Sequence, residues 1–82
     1  MGATRVLEHS ILFAKLLVAV AQHDVEGSFS YAKSLIQHQQ TNFESALSII
    51  KSTSTLVGEV ASTELESKYA DLYKLMSLKY PK

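Results

Sequence analysis

The sequence predicts an all-α protein, folded as an antiparallel three-helix bundle. Three observations carry that expectation. Apolar residues recur at helical spacing far better than at the period of a strand. Glycine is confined to Gly2, Gly27 and Gly58, and the single proline, Pro81, stands beside the end. The chain has 82 residues and no cysteine. A single domain of that size has no disulfide or thiolate site to hold it, so helix-on-helix packing must do so.

The first helix is expected over about residues 5–22. Val6, Phe13, Leu17 and Val20 form one stripe, and Leu7, Ile11, Ala14, Val18 and Ala21 form a second. Leu12 and Leu16 widen the apolar surface further. A helix this broadly apolar must be covered on more than one side, which predicts a central core helix. Two flanking helices, or one helix and a partner, would cover it.

A break follows at residues 24–28. Gly27 offers permissive backbone there, and Ser28 is a good N-cap for a second helix over about 28–57. Phe29, Ala32, Ile36, Phe43, Leu47 and Ile50 line one face of it, with Lys33, Gln37, Glu44, Ser48 and Lys51 opposite. The run Ser52-Thr53-Ser54-Thr55 has poor helix propensity, through β-branching and hydroxyl competition. Ile50, Val57 and Val60 nevertheless keep helical register. The helix therefore either continues to near Gly58, the more natural stop, or frays before a tight connection.

The third helix is expected over about 63–79. Thr63-Glu64-Leu65-Glu66 fits a capping box, with Thr63 as the cap and Glu66 reaching back. Leu65, Tyr69, Leu72 and Met76 form its main stripe, flanked by Tyr73 and Leu75. Lys74 and Lys79 sit toward the end where the helix dipole favours cations. No internal repeat is visible, so residues 1–82 read as a single domain.

Eight basic and eight acidic residues, interleaved, give no net charge. Nucleic-acid binders carry a basic surplus or stripe, so nucleic acid is not the expected partner. The longest apolar run, Ile11 to Ala21, is short and interrupted by Lys15, which argues against membrane insertion. Glu8 and His9 before it argue against a signal peptide. The opening MGATRV lacks the Ser or Thr of a myristoylation signal. A soluble, cytoplasmic protein is expected.

Catalytic chemistry is not expected. His9, His23 and His38 are not paired at the spacing of helical metal ligands. Neither a nucleophile elbow nor a glycine-rich phosphate loop is present. The reading is therefore a non-enzyme without metal or cofactor. Tyr31, Tyr69, Tyr73 and Tyr80 suit two roles, half-buried packing or the lining of a partner groove.

Asp24, Gly27, Phe29, Ala32, Leu35 and Phe43, with the run LIQHQQTNFESALSII, resemble the junction of the first two helices in MIT (microtubule interacting and trafficking) domains. In that family a helix ends near an Asp, and a Gly-x-aromatic-x-x-Ala signature opens the next. Gln39 and Gln40 depart from the family by replacing a more apolar pair, and the segment Lys51–Ser62 is longer than the family's usual connection. The resemblance implies a module that docks a short C-terminal motif of ESCRT-III-type proteins between two helices, for membrane trafficking or remodelling, with recruitment to endosomal or other membranes. By that carry-over the groove lies between the second and third helices and presents Leu47, Ile50, Leu65, Tyr69, Leu72, Tyr73 and Met76. Glu66 and Asp71 stand ready for basic groups on the partner. Of these, Leu72 and Ile50 are the residues expected to be plain core.

Two other readings stay open. One is a small bundle of adaptor or immunity type that self-associates through the first helix. The other is a fragment of a longer helical scaffold.

Overall fold

The computed structural model describes residues 2–81, with side chains from residue 7 onward. These residues form four helices and no strand: α1 (Gly2–Ala21), α2 (Val25–Gln37), α3 (Phe43–Val60) and α4 (Thr63–Lys79). The all-α expectation holds at that level. The three-helix count does not, because the long second helix is divided into α2 and α3.

The division falls in the polar stretch His38–Asn42. His38 turns to extended backbone at φ −70°, ψ 140°. The Thr41 side chain, almost fully buried, folds back and donates to the Leu35 carbonyl. Asn42 then caps α3, its side chain accepting from Ser45 N at 2.8 Å. One hydroxyl and one amide thus satisfy backbone groups that a continuous helix would have paired itself. Gln39 and Gln40 are exposed turn residues, not the middle of a helix.

Three expected caps move. Asp24, not Ser28, caps α2: its Oδ1 accepts from Gly27 N at 3.1 Å. Ser28 is buried in the first turn and donates its hydroxyl to the Asp24 carbonyl at 2.7 Å. Ser62, not Thr63, caps α4, accepting from Leu65 N at 3.2 Å. Gly58 does not stop α3, which runs on to Val60 and ends at Ala61 in the left-handed region (φ 42°, ψ 73°). The Ser/Thr run stays helical because Thr53 and Leu56 are packed in the core, and its hydroxyls bond carbonyls one turn back within the same helix. Thr53, fully buried, donates to the Ile50 carbonyl at 2.9 Å, and Ser52 to the Ser48 carbonyl at 3.1 Å.

The helices run up, down, up and down. His9 meets Thr41 and His38 at one end, and His23 meets Glu59 at the other. α2, α3 and α4 each pack against the other two, while α1 lies mainly on α2, touches α3 lightly and, among the described residues, makes no close backbone contact with α4. The central helix is therefore α2, and α1 is peripheral. The result is flat, with extents of 41 × 32 × 16 Å. Leu35, Ile36, Ile49 and Leu56 fill the middle of the core, with Leu16 as the main contribution of α1. No described helix is long and apolar enough to cross a membrane.

Candidate functional site

α2 and α4 both start at the same end of the bundle, so they run side by side in the same direction. Between them lies an open groove of about 540 Å³. α2 contributes Glu26, Phe29, Ser30 and Lys33, and α4 contributes Lys68, Asp71, Leu72, Lys74, Leu75 and Leu78. These positions recur at three- and four-residue steps, so each helix offers one face. Phe29 and Leu72 are buried and form the floor. Leu75 is half-buried above them, and Leu78, 71% exposed, is the lip.

The rim is charged on both sides. Glu26 and Lys33 stand on the α2 side of the apolar floor, and Lys68, Asp71 and Lys74 on the α4 side. Such a surface suits a segment with apolar anchors on one face and charges at its edges.

The candidate residues from the sequence separate into four groups. Ile50, as expected, and Leu65 and Met76 are core residues, no more than 6% exposed, and do not line the α2–α4 groove. Leu72, expected as core, is buried at the groove floor. Leu47 and Tyr69 are half-buried and pack against the core. Glu66, Asp71 and Tyr73 are exposed, and of these only Asp71 lines the α2–α4 groove. The groove was expected one helix over, because α2 and α3 were read as a single helix whose later half faced α4. Phe29, Lys33, Leu75 and Leu78 were missed as lining residues. The visible signal was Lys68, Asp71, Leu75 and Leu78, which share one edge of α4 at helical spacing.

A second cluster closes the end of the molecule where α2 gives way to α3. His9 Nε2 lies 2.9 Å from Thr41 Oγ1, and the His9 and His38 rings are 5.4 Å apart. Lys79 Nζ donates to the carbonyls of Ile36 and, at 2.7 Å, of His38. It thereby serves the orphan carbonyls at the α2 C-terminus, where a cation is also favoured by the helix dipole. The Tyr80 hydroxyl donates to the Thr41 carbonyl, and its ring meets Phe43 edge-on at 5.8 Å. Burial holds the His9 pKa below its ordinary value, and the charges of His38 and Lys79 lower it further. Burial also lowers the Lys79 ammonium and raises the Tyr80 phenol. This cluster locks α1, the α2–α3 turn and the tail of α4 together. No group of three or more His, Cys, Asp or Glu among the described residues is placed to hold a metal.

Compared with protein-family models, curated proteins and solved structures, the chain finds no match.

Proposed function

We propose that the protein is a non-catalytic interaction module that docks a short segment of another protein in the α2–α4 groove. The observation that carries this reading is the groove itself: an apolar floor at Phe29 and Leu72, an exposed Leu78 lip, and a rim with Lys33, Lys68 and Lys74 on it. A short amphipathic helix or extended peptide with apolar anchors and flanking carboxylates fits such a surface. Acidic edges on the peptide would meet the lysines, while Glu26 and Asp71 would select against a uniformly acidic one.

The resemblance to MIT domains supplies the partner class: a C-terminal motif of an ESCRT-III-type protein, bound in the cytoplasm and recruiting the module to a membrane. The division of the long helix at His38–Asn42 departs from the three-helix order of that family, so the groove is argued from its own residues and not from the family's helix pair. Binding by fluorescence anisotropy to a panel of labelled C-terminal peptides of ESCRT-III-type proteins tests the reading. Saturable binding in the micromolar range, weakened by Leu78→Asp and by Lys68→Glu, supports it. No binding across the panel removes the ESCRT-III assignment. Binding untouched by either substitution removes the groove.

A further inference from the structure

α1 carries an apolar stripe that the other described residues leave exposed, with Ile11, Ala14 and Val18 edging an open groove shared with Asp24 and Tyr31. Leu7, Ile11, Val18 and, beside them, Leu17 are between 46% and 59% exposed. Ala14 and Ala21 are exposed in the same line. The steps from 7 to 11, 14, 18 and 21 alternate four and three, the spacing of a coiled-coil seam. In heptad terms, Ile11 and Val18 take a positions, and Leu7, Ala14 and Ala21 take d positions. The helix meets its own bundle with different residues, among them Leu16 and Ala19, both buried. It therefore has two seams and uses one.

We infer that the second seam pairs with the same seam of a second copy, antiparallel, to give a two-fold homodimer. The charges beside the stripe select this occupant. The exposed Glu8 and Lys15 both follow d positions, on one flank of the seam. When an antiparallel copy sets Ile11 against Ala14 and Leu7 against Val18, Glu8 of each chain comes opposite Lys15 of the other. The pairing is reciprocal, as a two-fold interface requires. A parallel copy sets Glu8 and Lys15 against the other flank, where Ser10 and Leu17 stand, and makes no charge pair. The layers also mate by size, a large side chain meeting a small one at Ile11–Ala14, so the helices approach closely. The chain has no net charge to drive copies apart.

The seam is one face of a single helix, Leu7 to Ala21, whereas an ordinary stable interface buries about 1,200 Å² or more. Dimerisation is therefore weak and is read at protein concentrations on the order of 100 µM. The inference does not depend on the α2–α4 groove, which lies on α4's side of α2.

Sedimentation equilibrium of the full chain, from low to high concentration, is the test. The expected result is a mass rising from 9.1 kDa toward twice that value. Val18→Glu, at an exposed position, is expected to leave the helical circular dichroism intact and abolish the rise. Glu8→Lys and Lys15→Glu are each expected to weaken the dimer about fivefold, because each turns two attractive pairs repulsive. The double swap restores it. A monomer at every concentration up to about 1 mM overturns the inference. So does a dimer indifferent to Val18→Glu, and so does a double swap no tighter than the single ones. A monomer that pairs only with a helix of another protein overturns it as well.

Discussion

Gly27 and Asp24 compete for one space: a Cβ on Gly27 would stand 2.3 Å from Asp24 Oδ2. Gly27 is helical with ordinary negative φ, so its role is clearance for the cap and not backbone freedom. Gly27→Ala must displace the Asp24 carboxylate, which loses a cap worth about 1 kcal/mol. It also gains about 1 kcal/mol of helix propensity. The net change is expected to be small, and the signature lies in coupling. Asp24→Ala is expected to cost about 1 kcal/mol in the wild type and much less in the Gly27→Ala background. Urea unfolding of the four proteins checks it. Equal costs in both backgrounds would mean that the two residues do not interact.

The C-terminus of α3 offers the opposite case. A Cβ on Gly58 meets nothing within 4 Å. Gly58→Ala is expected to stabilise the domain by about 0.5–1 kcal/mol, through helix propensity and a less free unfolded chain. Ala61, left-handed at φ 42°, is expected to gain roughly 1 kcal/mol when replaced by glycine. Both changes read out as raised denaturation midpoints with an unchanged slope. A loss of stability in Gly58→Ala would place the end of α3 earlier.

Stability should depend on pH through His9. Burial first, then the charges of His38 and Lys79, lower its pKa in the folded state. Glu8 also faces this cluster, with a carboxylate oxygen 3.9 Å from His38 Nε2. A histidine whose folded pKa lies below its unfolded value binds more protons when unfolded, so its contribution is present above the unfolded pKa and lost as pH falls. The midpoint of thermal unfolding is therefore expected to drop between about pH 7 and pH 5, the range around an unperturbed histidine. His9→Gln is expected to flatten that dependence. An equally steep profile in His9→Gln would assign it elsewhere.

Leu72→Asp and Tyr73→Asp should behave differently although the residues are neighbours. Leu72 is 4% exposed and Tyr73 is 54% exposed. An aspartate at 72 buries an unpaired charge and is expected to unfold the domain, by several kcal/mol. An aspartate at 73 is expected to leave the melting curve within about 0.5 kcal/mol of wild type. Tyr73 does not line the α2–α4 groove, so peptide binding there should also survive Tyr73→Asp. Loss of binding in that variant with an intact fold would return the site to α3 and α4.

Helix type was legible wherever apolar period and length agreed, as from Leu7 to Ala21 and from Leu65 to Met76. Connections were legible to within a few residues near Gly27 and before the capping sequence at Thr63–Glu66, although both Gly27 and Gly58 lie inside helices. The turn at His38–Asn42 contains no glycine or proline, and Ile36, Phe43 and Leu47 keep helical phase across it, so the pattern read straight through. What divides the helices is Thr41 reaching Leu35, Asn42 reaching Ser45 and Lys79 reaching Ile36 and His38. The last of these spans 43 residues, and a local window cannot contain it. The Ser/Thr run misled in the other direction, because the burial of Thr53 and Leu56 overrides weak propensity. The breadth of the α1 apolar surface was visible, but not which stripe faces its own bundle. Placing α2 at the centre answers that, and it leaves the open groove between α2 and α4.

The central claim is that a partner segment docks between α2 and α4. Mapping amide chemical shifts of the labelled protein during titration with the tightest-binding peptide tests it most directly. The account predicts that the shifted resonances cluster at residues 26–33 and 68–78, with α1 and the outer face of α3 unmoved. Shifts centred on residues 43–57 or on α1 would contradict it.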